Sequence, residues 1–171
     1  MPEPREHMKE RNWLESILHK IPGFRGYLDK ENRRESDALQ RQWLADRLQR
    51  SKRALDDHTR TLADSGQLAL LPRYDRLRGR IDKLIGRIKG GMQGYSGVFD
   101  LVRVDEALLD RVYEYDVILI ERVENVAATV EKLPRTTAES EAAALVGSLS
   151  GEIDELERAW DRREDLLKGL E

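Results

Sequence analysis

Residues 105–133 read DEALLDRVYEYDVILIERVENVAATVEKL, and this stretch decides the fold. Leu109, Val112, Asp116, Leu119, Val123, Val126, Val130 and Leu133 alternate steps of three and four residues without a slip. That spacing is the signature of a helix whose one face is buried against other helices in heptad fashion. Asp116 is the single polar residue in the seam. A lone carboxylate there predicts a buried polar residue that fixes helix register, or a polar pair across the core with His58, which also falls near an apolar seam.

The same period extends in both directions. Downstream, Ala142, Val146, Leu149, Ile153, Leu156, Trp160, Arg163, Leu167 and Leu170 repeat it over a helix placed at 137–170, with Thr136 and Glu139 forming a capping box after Pro134. Upstream, Leu44, Leu48, Leu55 and Leu62 mark a helix at 30–64, widened by Ala38, Trp43 and Ala45, capped by Asp29 and stopped by Gly66. Tyr74, Leu77, Ile81, Leu84, Ile85 and Ile88 mark another at 72–89. Gly79 and Gly86 inside it each cost about 1 kcal/mol relative to alanine, which predicts a closely approaching neighbour. Residues 1–21 form a short amphipathic helix with Trp13, Leu14, Ile17, Leu18 and Ile21 on one face. No strand-like alternation occurs. The expectation is an all-α, elongated antiparallel bundle with coiled-coil character: four main helices over 22–171, preceded by the N-terminal helix.

Lengths add a constraint. At 1.5 Å per residue the helix at 30–64 spans roughly 52 Å and the one at 72–89 about 27 Å. A glycine-rich connector, 90–104, is therefore expected to make up the difference, so that the next helix starts where the helix at 30–64 started. This places Tyr95 and Phe99 of GYSGVF beside Phe24, Arg25 and Tyr27 of GFRGY as a plug at one end of the bundle and a candidate interaction surface.

Composition narrows the chemistry. The 171 residues are 37% charged and include no cysteine, so neither a disulfide framework nor thiolate catalysis is available. The longest apolar run, Ala142–Val146, is far short of the ~20 residues that span a bilayer, and the first residues lack the apolar core of a secretory signal. A cytoplasmic protein, at most peripheral to the inner face of a membrane, is expected. Residues 1–90 hold 21 basic and 14 acidic side chains, and residues 91–171 hold 9 and 19. Such halves neutralise each other when the chain folds back on itself.

GGMQGYSGVFD (90–100) follows a helix and lacks a following Lys-Ser or Lys-Thr, so it does not read as a phosphate loop. His7, His19 and His58 are preceded at the Glu-x-x-His spacing by Pro4, Ser16 and Leu55, which removes the di-iron signature. No catalytic set, cofactor, metal site or small-molecule substrate emerges. Arg73, Arg76, Arg80, Lys83 and Arg87 form a basic stripe that would meet either phosphates or the acidic last helix, where Glu157, Glu164 and Glu171 share one heptad position. Aromatic residues are not interleaved with the arginines, which counts against a single-stranded nucleic-acid partner.

Two blocks, IPGFRGYLDKENRRESDALQR and GYSGVFDLVRVDEALLDRVYEYD, resemble an uncharacterised group of bacterial all-helical hypothetical proteins. The resemblance carries no assigned activity. In general shape, an amphipathic helix before a helical hairpin, the chain is also similar to the phage-shock and ESCRT-III-like membrane remodellers. The expected function is a non-enzymatic helical scaffold or adaptor, oligomeric and acting through protein–protein contacts. The alternative is a membrane-associated remodelling or stress-response protein using the first helix and the basic stripe.

Overall fold

The computed structural model describes residues 4–94, 106–136 and 138–169. Among these, five α-helices form: α1 Pro4–Lys20, α2 Lys30–Asp64, α3 Leu71–Gly94, α4 Glu106–Lys132 and α5 Glu139–Lys168, with a 3₁₀ turn at Leu133–Arg135 between the last two. The heptad stripes account for them. Every seam residue from Leu109 to Leu133 is buried, as is every one from Ala142 to Leu167.

Helix α2 ends in a Schellman turn. Gly66 takes φ +74°, its amide bonds the Ala63 carbonyl and the Gln67 amide bonds that of Leu62. Glycine adopts this left-handed conformation without steric cost, so the chain reverses into α3 within a few residues.

Three local expectations are corrected. Helix α3 does not stop at residue 89 but continues through Gly90 and Gly91 to Gly94. Its apolar face is buried as far as Ile88, and from that docked stretch the helix propagates through the glycines despite their low propensity. The shortfall relative to α2 is thus roughly 16 Å rather than 25 Å at 1.5 Å per residue, and the connector begins five residues later than expected. The capping box does not form: the N-cap of α5 is Ala138, with no side-chain bond, and Thr136 Oγ1 instead donates to the Lys132 carbonyl. Gly79 and Gly86 face open space, with nothing within 4 Å of a Cβ built on either, so no neighbour requires them.

The helices pair as two hairpins. Helix α2 packs against α3 and α4, α5 packs against α4 and α3, and α1 lies on α4. Within each hairpin the directions are antiparallel: Lys52 meets Asp82 while Arg78 meets Asp56. Between hairpins they are parallel. Arg80 reaches Asp154 and Glu157, and seven residues on, Arg87 reaches Asp161 and Glu164. Tyr27, just before α2, meets Asp116, and Arg47 meets Glu131, so α4 starts at the end where α2 starts. Leu44, Leu48, Tyr74, Ile81, Leu119, Val123, Ile153 and Trp160 are buried at the centre. No helix among the described residues is long and apolar enough to cross a membrane.

Leu119→Ala, at a fully buried seam position, is expected to cost about 2–5 kcal/mol in urea unfolding, because the cavity it leaves is closed on all sides. Leu28→Ser, at a residue 66% exposed, is the matched control and should shift the midpoint little.

Candidate functional site

The end of the bundle where α2 and α4 begin holds the densest set of polar side chains. It starts with the loop that joins α1 to α2. Ile21 and Phe24 bury their side chains and anchor the loop, and Gly26 then takes φ +89°. A Cβ on Gly26 would lie 2.6 Å from the Tyr113 hydroxyl, so only glycine permits this approach. The turn aims the Tyr27 amide at that hydroxyl, to which it donates at 2.6 Å. Arg33 Nε donates to the Tyr27 carbonyl at 2.6 Å, and the Arg25 amide donates to Ser36 Oγ at 3.2 Å. The Tyr27 ring stacks edge-on to Phe24 at 5.4 Å and tilted against Tyr113 at 5.1 Å.

Beneath the loop lies a buried ion cluster. Arg163 of α5 donates through Nε to Asp116 Oδ1 at 2.6 Å and through Nη2 to Asp37 Oδ1 at 2.7 Å. The Tyr27 hydroxyl donates to the other oxygen of Asp116, and Arg41 pairs with the other oxygen of Asp37. Two guanidinium groups thus balance two carboxylates, and Arg163, Asp116 and Asp37 are each at most 2% exposed. The Arg163 cation also sits 5.8 Å from the Trp160 ring centre.

Burial governs the proton affinities here. It pushes the Tyr27 phenol well above its usual range, and the Asp116 charge adds to this. Burial also raises Asp116, more than Arg163 and Tyr27 lower it. For Arg163, burial acts downward but is outweighed by Asp116 and Asp37, so its guanidinium is held firmly protonated. Burial lowers Arg41 in spite of Asp37. Chemically, the cluster holds its protons in place and ties α5 to α4, α2 and the Tyr27 loop.

Asp116 therefore occupies the buried register position that its place in the heptad predicts, but its partners are Arg163 and Tyr27. The alternative, a pair with His58, does not form: His58 lies edge-on to Tyr74 at 5.5 Å, further along the α2–α3 hairpin. Asp37 and Arg41 are additions to the sequence expectation, in which Arg163 figures only as a seam residue. Arg163 did carry a signal, since an arginine in an otherwise apolar heptad seam demands a buried counter-charge. Asp37 and Arg41 carry a signal as well: the heptad of Leu44 and Leu48, run back by one repeat, falls on positions 37 and 41, so two charged residues stand at inward positions of α2.

The remaining predicted residues separate. Phe24 and Tyr27 are buried and Arg25 is exposed, whereas Tyr95 and Phe99 lie outside the described residues. In α1, Ile17 is buried and Trp13 and Leu14 partly so, Ile21 just after the helix is buried, and Leu18 is 46% exposed. The face contacting α4 is narrow, and Leu18 falls at its edge. Arg80 and Arg87 of the basic stripe are paired with α5, while Arg73, Arg76 and Lys83 are exposed and have no ion-pair partner among the described residues. No group of three or more His, Asp or Glu residues placed to hold a metal occurs among the described residues.

Compared with protein-family models, with curated proteins and with solved structures, the chain matches none.

Arg163→Met is expected to destabilise the protein by about 3–5 kcal/mol, since it leaves Asp116 and Asp37 buried without their shared cation. Adding Asp116→Leu should recover part of that loss, and a double-mutant cycle in denaturant measures the coupling. His58 gives a separate pH signature. Burial lowers its pKa below the ordinary 6.5, so its contribution is present above that value and is lost as pH falls through the folded pKa. Melting temperature should therefore fall on acidification below about pH 6.5, and less so in His58→Phe.

Proposed function

We propose that the chain is a non-enzymatic helical scaffold or adaptor that acts through protein–protein contacts, including contacts with further copies of itself. The observation that carries this reading is the internal use of the groups a membrane or phosphate ligand would need. Ile17 and Ile21 bury the apolar face of α1 on the protein's own core. Arg80 and Arg87 spend their charge on α5. What stays outward is charged side chains in a fixed heptad array on a stiff support, the kind of surface that recognises other helices by register. A cytoplasmic location goes with this reading.

The membrane-peripheral alternative rests on the outward Leu18, the neighbouring exposed Lys20 and the exposed Arg73, Arg76 and Lys83. A single outward leucine is a weak lipid anchor, because interfacial helices bind through a continuous apolar face.

Sedimentation velocity across a range of protein concentrations checks the proposal. Reversible association that weakens as salt screens the charges is the expected outcome. A strict monomer at high concentration that also pellets with anionic vesicles, and loses that pelleting with Leu18→Ser, would replace the scaffold reading with the membrane one.

A further inference from the structure

The interhelical ladder between α3 and α5 has a rung missing. Arg80 is met by Asp154 and Glu157, and Arg87 by Asp161 and Glu164, so each arginine faces two carboxylates three residues apart. One heptad earlier, Arg73 faces positions 147 and 150, which hold glycine and serine. Ser150 is already engaged, since its hydroxyl and carbonyl accept from Arg80 Nη1. Arg73 and Arg76 are left exposed, with no ion-pair partner among the described residues. Where the carboxylates would stand, a groove of about 240 Å³ opens between the two helices. Leu77 and Val146, both buried residues, line it together with Gly147. A Cβ on Gly147 would meet nothing within 4 Å, so the notch has room for an incoming side chain.

We infer that this groove docks an acidic helical segment of a protein partner. Its carboxylates, three residues apart, complete the rung at Arg73 and Arg76, and an apolar side chain enters the notch at Gly147. The inference rests on the scaffold reading above and specifies the partner's chemistry. Charge complementarity selects the occupant: the two filled rungs show which carboxylate spacing Arg80 and Arg87 accept, and Arg73, one heptad earlier, stands without it and with Arg76 beside it in the groove. A lipid surface fits less well. The apolar floor is recessed between two helices, out of reach of a flat headgroup layer.

A synthetic peptide of residues 151–165 carries both filled-rung pairs and serves as the probe. A control peptide replaces its Asp154, Glu157, Asp161 and Glu164 by the corresponding amides. Fluorescence anisotropy against the full chain should show the acidic peptide binding and the amide peptide failing to bind. Arg73→Glu with Arg76→Glu should weaken binding about tenfold or more, by setting like charges face to face. Gly147→Asp should weaken it as well, by supplying a carboxylate from within, while leaving the circular dichroism unchanged. Equal binding of the two peptides, binding indifferent to these variants, or no binding would overturn the inference. So would loss of anionic-vesicle pelleting in the same variants without any peptide binding, which would assign the arginines to lipid. If the peptide fails while the chain still associates in sedimentation, the groove assignment falls and the scaffold reading stands.

Discussion

Arg163 is the constraint on which the rest of the bundle depends. It is a cation inside the core, and the cost of removing it from water is several kcal/mol unless its donors are met. Asp116 on α4 and Asp37 on α2 meet it from two sides at 2.6 and 2.7 Å. Three helices from both hairpins are thereby held at one mutual height. The apolar seams alone would tolerate a shift by a heptad, because one leucine replaces another at nearly equal energy. A shift that separates Arg163 from its two carboxylates leaves Arg163 and Asp116 buried without a counter-charge, while Asp37 keeps Arg41 of its own helix. The cluster thus acts on specificity of register more than on net stability.

The loop between α1 and α2 depends on the same cluster. Tyr27 delivers its hydroxyl to Asp116, and Gly26 allows its amide to reach Tyr113. The ring and the loop backbone are therefore tied to α4 at both ends, and α1 is brought down with them onto the outside of that helix. Once the inner register is set, the outer ion pairs follow. Each is partly exposed and contributes little by itself. Their heptad repetition along Arg80 and Arg87 nevertheless makes the surface periodic, and a periodic surface gives a missing rung a definite position.

Much of this was legible beforehand. The bounds of α2 and the buried faces of α3, α4 and α5 follow from residue spacing, because burying a stripe of leucine and valine is worth more than any competing local preference. The pairing of Arg80 with Glu157 and of Arg87 with Glu164 was also visible as shared heptad positions. Legibility failed where a local rule met a tertiary contact. Glycines at 90, 91 and 94 punctuate a sequence, yet they remain helical behind the docked face of α3. Thr136 and Glu139 spell a capping box, but the 3₁₀ turn at Leu133–Arg135 directs the threonine back to Lys132. Leu18 belongs to an apolar face by spacing and lies outside it by geometry.

By itself, the sequence determined that the chain is helical, which face of each long helix is inward, and that Asp116 sits in a buried seam. These are properties of single elements, set by the period of apolar residues. Tertiary structure alone decided what Asp116 meets, and that Asp37 and Arg41 join it around Arg163. A counter-charge from another helix is separated by dozens of residues along the chain. Its identity depends on the relative height of the helices, which no local pattern encodes.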